Sequence, residues 1–432
     1  MFGNWARKSS SSVSDVGVTV LGLDVNSTRA RAIGQRENRW RTVMLDEPFE
    51  ELPFAISLDK RAPEVGRQAI QISRRFPHLV CLNYLPCLGM AKEWKAGRLR
   101  LDPFQALALT MDRIRASLGE YDTLALTLPS YLSPAQVTKF LQLADKAKWN
   151  VKGAAILPLV LAAEYAHEWQ NVVPLPMNLP KTIDPNKTWC ETEDESDWVV
   201  PMPQKGHEPD APFAVLIIDA DEHAMTASVV QLDPTQARLL STIPLPRLSV
   251  RVWKERLLDA LSDRCIRLCR RDPRDSAVAE QALYEQLDDA LERTRHGQKV
   301  DLTVRSEHWF QNLVQQPDDF DGFCTGLMKQ SLDSIRELVV SAQLAEPLRA
   351  VLFTNAAGRL PGLVEALQKH MPERTTVKVL PPEAVAQATA KLGSRWRDGS
   401  LPRVFLDTSL PLAVSPPKTS GSVRQSGIVN DY

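Results

Sequence analysis

The chain has no apolar run approaching the roughly 18 residues that a membrane-crossing helix needs. Its first 15 residues, MFGNWARKSSSSVSD, carry no apolar stretch of signal-peptide length. Neither a helical membrane span nor a secretory leader is therefore expected. The chain also lacks a charge excess: 52 Lys and Arg against 53 Asp and Glu leave a net charge of −1. No global field draws it to nucleic acid or to an anionic membrane, and neither is expected as a partner. Cysteine is sparse. Cys81, Cys87, Cys190, Cys265, Cys269 and Cys324 include no CxxC pair, which excludes the disulfide framework of a small secreted domain and points to a reducing cytoplasm. Cys265 and Cys269, four apart on an expected helix, have no second pair to complete a tetrahedral metal site.

What is present is core-forming material: 44% of the 432 residues are hydrophobic, enough for about two to three domains. Segments VGVTVLGLDV, STRARAIGQ, RWRTVML and LPFAISLD between 16 and 60 are short and rich in β-branched residues, and predict an antiparallel meander. Three- and four-residue apolar spacing predicts helices over 64–76 and 103–118, the second with Asp102 as N-cap and Pro103 at its first position. A buried strand over 123–132 and helices over 135–148 and 154–167 complete a first lobe, 16–167, with a mixed and mainly covered sheet. Residues 168–212 differ in texture, with eight prolines, an acidic knot (Glu191, Glu193, Asp194, Glu195, Asp197) and tryptophans at 169, 189 and 198. They are expected to be an insertion or linker, either solvated with no ordered role or one whose tryptophans serve in docking. The pattern restarts as a second lobe over 213–393: strands in 213–250, helices over 252–270 and 276–296, a strand at 300–304, a helix over 318–344, then strand and helix over 349–370. Residues 1–15 read as a disordered arm and 394–432 as a disordered tail. The arginines of the 252–270 helix (Arg256, Arg264, Arg267, Arg270, Arg271) read as a solvated face or as a basic surface for an acidic partner.

The most informative feature is a repeat. LGLDVNSTRARAI at 21–33 and VLIIDADEHAMTASVV at 215–230 each run strand, acidic turn, strand, which is how the two halves of an actin-like nucleotide-binding fold open. Other segments extend the likeness. VGRQAI at 65–70, LALTLPSYLSPAQ at 124–136, Leu157 and Pro158 with LAAEY at 161–165, VLFTNAAGRLPGLVEAL at 351–367 and PPEAVAQATA at 381–390 occur in the order of corresponding motifs of the DnaK-type heat-shock chaperones. Over 16–393 the chain resembles the ATPase half of that family. The resemblance implies an α/β, two-lobed actin-like ATPase fold, made of duplicated ribonuclease H-like domains around a cleft. It implies ATP or ADP with Mg²⁺ as the ligand.

Transferred residue by residue, the resemblance makes Asp24 and Asp219 the metal-ordering carboxylates. It places Asn26, Ser27 and Thr28 at the first phosphate turn, and Asn355, Gly358 and Arg359 at the adenosine side. It also exposes losses. The expected catalytic lysine and glutamate are Leu85 and Leu157, the aspartate beyond the second phosphate turn is Thr226, and the glycines of that turn are Asp221, Glu222 and His223. Phosphoryl transfer depends on positioning and electrostatic stabilisation, which leucines do not supply. No peptide-clamping sandwich follows within the chain. The expectation is a degenerate ATPase that senses nucleotide or binds a protein partner in a regulatory role. The alternative is a slow chaperone-like ATPase in which Lys92, Lys95 or Arg29 replaces the missing lysine. Asp24 and Asp219 also read simply as turn formers, since Asp caps tight turns through its side chain. Asp219, Asp221, Glu222 and His223 read either as an exposed polar turn or as a metal cluster.

Overall fold

The computed structural model describes residues 19–36, 39–170, 212–344, 348–372, 375–401 and 405–412. The expected arm at 1–15, nearly all of the 168–212 insertion and the tail beyond 412 lie outside the described residues.

In chain order, β1 (Val20–Val25), β2 (Arg29–Arg36), β3 (Arg39–Val43) and β4 (Glu51–Pro53) form the meander that the β-branched segments predict. A small sheet of β5 (Ala55–Ser57), β6 (Glu64–Val65) and β7 (Val80–Leu82) carries α1 (Arg67–Ile72), and β8 (Trp94–Ala96) pairs with β9 (Leu99–Leu101) as a hairpin. Then follow α2 (Pro103–Leu118), β10 (Thr123–Leu128), α3 (Pro134–Lys146), β11 (Val151–Ile156) and α4 (Leu157–Gln170). Both α2 and α3 start where the sequence predicts. Asp102 and Ser133 accept from the backbone N–H of Gln105 and Gln136, whose side chains return the bond.

The second half contains β12 (Phe213–Ala220), β13 (Met225–Leu232), β14 (Gln236–Leu245), α5 (Val250–Cys269), α6 (Ala277–Arg295), the hairpin β15 (Val300–Arg305) and β16 (Phe310–Gln315), and α7 (Pro317–Ser341). It closes with β17 (Leu348–Phe353), α8 (Leu363–His370), β18 (Thr376–Val379), α9 (Ala384–Arg397), β19 (Phe405–Leu406) and β20 (Ser409–Pro411).

The chain is an α/β protein with two mixed sheets in separate lobes, and both sheets are built to one plan. In the first the order is β19-β11-β10-β1-β2-β3, with β4 also on β2; in the second it is β18-β17-β12-β13-β14-β20. Each half opens with three antiparallel strands, and a later strand returns parallel to the first: β10 to β1, β17 to β12. β1 and β12 are the central strands of their sheets and buried throughout, which is why both read as continuous apolar runs rather than alternating ones.

Two helices join the lobes by crossing over. α4 leaves the first sheet and packs on β13 and β14 of the second, while α9 leaves the second and packs on β1 and β10 of the first. Small residues permit that approach. A Cβ at Gly22 would lie 2.1 Å from the carbonyl oxygen of Ala386, and one at Gly153 would lie 2.0 Å from the ring of Trp396. Thr127 and Thr389 share a hydrogen bond across this seam. At another point of lobe contact, Arg74 pairs with Glu255 and Glu280, and Gln281 binds the backbone of Arg74 and Ile70.

Three expectations need correction. The helix over 154–167 is strand β11 followed by α4 from Leu157, two doubly covered elements whose apolar residues run together in VKGAAILPLVL. The helix over 64–76 is only α1, because Gly66 at φ 121° turns the chain after β6 and donates its N–H to Ala55. The tail is not wholly irregular: α9 reaches Arg397, β19 joins β11 and β20 joins β14. Leu401 and Leu410 supply the reason, since both are buried in the core between the lobes.

Candidate functional site at the facing turns

Asp24 and Asp219 are the penultimate residues of β1 and β12, and both are buried. The turns that follow share one hydrogen-bond pattern. Asn26 Oδ1 accepts from the backbone N–H groups of Thr28 and Arg29, both at 2.9 Å. Asp221 Oδ1 accepts from those of His223 at 2.8 Å and Ala224 at 3.0 Å. In each turn the residue bearing that side chain also donates its own N–H to the carbonyl three residues on, Asn26 to Arg29 and Asp221 to Ala224. This is the local side-chain closure that favours Asn and Asp in turns, and it replaces the glycines that the resemblance calls for.

The turns also bind each other. Asp221 Oδ2 accepts from the backbone N–H of Ser27 at 2.9 Å and from the Tyr131 hydroxyl at 2.5 Å. Glu222 N donates to Thr28 Oγ1 at 2.9 Å, and His223 N to Ser27 Oγ at 3.1 Å. Every backbone N–H from Asn26 to Arg29 and from Asp221 to Ala224 is thus donated within the protein. Tyr131, at the end of the loop after β10, also packs against the His223 ring at 4.8 Å. Burial and the neighbouring Asp221 carboxylate push its hydroxyl well above the usual tyrosine range, so it remains a donor.

The strand-end carboxylates have different partners. Asp24 Oδ2 holds Arg29 at 2.6 Å, and Arg29 also meets Glu51 at 2.9 Å. Burial disfavours the guanidinium charge, but Asp24 and Glu51 outweigh it and raise the Arg29 pKa. Asp24 Oδ1 is buried without a hydrogen-bond partner. Among the described residues, Asp219 Oδ1 accepts from the Thr354 hydroxyl alone, at 2.8 Å. Burial, then Asp221, then Asp24 push its carboxyl up to about 7, against the opposing pull of that hydroxyl and of Arg29.

Behind the second turn Lys254 of α5 is buried, 2.9 Å from Asp288 and 3.4 Å from Glu222. On the expected adenosine side, Asn355 and Ala356 are half-buried. A Cβ at Gly358 would lie 2.3 Å from Val379, so its lack of a side chain serves packing on β18. Arg359 lies 3.9 Å from Glu292 of α6, which also binds Arg295 at 2.6 Å. Arg359 adds to the field of Lys254 that holds Asp288 below the usual carboxylate range.

Among residues that the resemblance marked as losses, Leu85, Leu157 and Thr226 are all buried, the two leucines in hydrophobic cores. Of the three cations considered as replacements, only Arg29 lies at the turns. Lys92 covers the Trp94 ring at 4.6 Å, and Lys95 pairs with Glu93 at the surface. The structure thus brings together Asp24, Asn26, Ser27, Thr28, Asp219 and Asp221. It adds Tyr131 and Lys254, which sequence reasoning had not singled out. The spacing Asp-x-Asn at 24–26 against Asp-x-Asp at 219–221 is the signal that could have shown the matched turns. Among the described residues, no group of three or more His, Cys, Asp or Glu side chains is arranged to hold a metal ion.

On the arginine face of α5, Arg256 donates to the Phe323 carbonyl and Arg264 to Gln315 and Asp319. None of the family models compared with the chain matches it, and neither does any curated protein. Among the described residues, no helix is long and apolar enough to cross a membrane.

Proposed function

We propose that the chain is a divergent actin-like module, nearest in pattern to the ATPase half of DnaK-type chaperones, that no longer turns over ATP and works as a two-lobed regulatory surface for a protein partner. The observation that carries this reading is the state of the two turns. An oxyanion between such turns is held by backbone N–H groups and by a divalent ion on the strand-end carboxylates. Here all eight turn N–H groups from 26 to 29 and from 221 to 224 are already donated, and Arg29 neutralises Asp24. Among the described residues, the metal side keeps Asp24 Oδ1, buried without a partner, and Asp219 Oδ2, whose companion Oδ1 takes the Thr354 hydroxyl; the N–H groups of the two turns are all spent. In this arrangement the residues do not fit a triphosphate with its ion, and no catalytic step is derived through one.

The shared strand order, the acidic turns at matched positions and the crossed helices support the actin-like assignment. Buried Leu85 and Leu157 support loss of turnover. The free thiols of Cys81, Cys87, Cys265, Cys269 and Cys324 suit a reducing cytoplasm. The test is a phosphate-release assay with isothermal titration of MgATP and MgADP, using Asp24→Ala as control. The expected result is no turnover above the blank and no heat at millimolar nucleotide. Turnover that Asp24→Ala abolishes would overturn the reading and favour a slow ATPase with Arg29 as the replacing cation.

A further inference from the structure

We propose that the Asp221 carboxylate is a built-in oxyanion: it sits between the two turns as an external anion would, and holds the lobes together in place of a ligand. Three features of the geometry carry this. Its two oxygens take four donors in a definite division: Oδ1 closes its own turn through His223 N and Ala224 N, and Oδ2 reaches the other lobe through Ser27 N and the Tyr131 hydroxyl. That set, three backbone N–H groups and one hydroxyl converging on a carboxylate that is 2% exposed, is the donor chemistry of an oxyanion site. The bonds of Glu222 N to Thr28 and of His223 N to Ser27 flank the carboxylate, so both turns are registered on it.

The side chain performing this role is supplied by the turn itself and cannot diffuse away. Two consequences follow. The lobes stay apposed at the turns without nucleotide, so opening there requires Asp221 to be withdrawn from Ser27 and Tyr131. Removing the carboxylate, moreover, leaves its donors in place around a gap of carboxylate size, which a small free oxyanion can enter. The inference deepens the reading above and rests on it only for naming these turns as phosphate turns; the bonds stand without it.

The test uses the full chain and no nucleotide. Asp221→Ala is compared with wild type by thermal unfolding and by amide hydrogen exchange of the turns, with formate, acetate and inorganic phosphate as probes and chloride at matched ionic strength as control. In the variant the Ser27, His223 and Ala224 amides are expected to exchange about tenfold faster or more. Formate is expected to restore at least half of the lost midpoint while leaving wild type unmoved. Equal response of both proteins to formate and chloride, or wild-type exchange at Ser27 in the variant, would overturn the proposal. If Asp221→Ala does not fold, Asp221→Asn decides. It keeps the Oδ1 cap but turns an NH₂ toward Ser27 N, so Ser27 is expected to exchange faster while His223 and Ala224 stay protected; unchanged Ser27 exchange would overturn the proposal. ATP turnover by wild type would sink the pseudo-enzyme reading and leave these outcomes untouched, so the two failures are separable.

Discussion

The turn after β1 and the turn after β12 have the same backbone closure and differ by one atom at the side chain that makes it. In the first lobe that side chain is the amide of Asn26, whose single oxygen is used up by Thr28 and Arg29. In the second it is the carboxylate of Asp221, whose second oxygen is left over and is spent on the opposite lobe. The same local motif is thus a turn former in one lobe and a link between lobes in the other. The strand-end carboxylates repeat the contrast. Asp24 has a guanidinium at 2.6 Å, whereas Asp219 has a hydroxyl at 2.8 Å, and burial with the neighbouring Asp221 pushes the Asp219 carboxyl up to about 7. Burial with no cation in contact forces a carboxylate toward the neutral form.

The largest expected effect comes from breaking the comparison at its stronger side. Asp221→Ala removes the local cap and the lobe link together, stranding buried donors, and should cost about 3 kcal/mol or more in a denaturant titration. Asp221→Asn makes the turns alike. It retains the cap, loses the acceptor for Ser27, and should cost about 2 kcal/mol by the same measurement. The third change tests the carboxylate contrast through pH. Because the folded pKa of Asp219 is about 7 against a reference of 3.8, the folded state keeps a proton that the unfolded chain has released between those values. Stability therefore falls as pH rises through that window, and the cost of the buried charge is fully present by pH 8. Asp219→Asn should accordingly stabilise the protein by roughly 1 to 3 kcal/mol at pH 8. The gain should fade toward pH 4, and unfolding midpoints measured across that range would show it. An equal gain at every pH would mean that Asp219 is not the titrating group. The smallest effect is at the weaker turn. Asn26→Ala loses a local cap only, should cost about 1 kcal/mol, and should leave Tyr131 and Asp221 bonded.

How much of this could be read in advance depends on whether a feature is local. The start of α2 at Pro103 is set by Asp102 and Gln105, two residues three positions apart whose chemistry names the structure, and the meander at 20–53 follows from short β-branched runs. The boundary between β11 and α4 was not legible, because a strand and a helix covered on both sides are both simply apolar. The short strands β19 and β20 exist only because edges of the two sheets are there to pair with them; little in residues 405–411 taken alone asks for strand. At the site, the aspartates and their turns were visible as a repeat. The resemblance marked Asp221, Glu222 and His223 only as losses of glycine. Instead the carboxylate of Asp221 takes up the turn donors itself.

The sequence by itself determined the elements whose signals lie within a few residues: two strand-turn-strand openings, an Asp near the end of each first strand, and capped helices. The tertiary structure alone decided what the turns do with their hydrogen bonds. Ser27 and Asp221 lie 194 residues apart, and whether a buried carboxylate repels a ligand, binds a metal or links two lobes depends on which donors the fold brings within 3 Å of it.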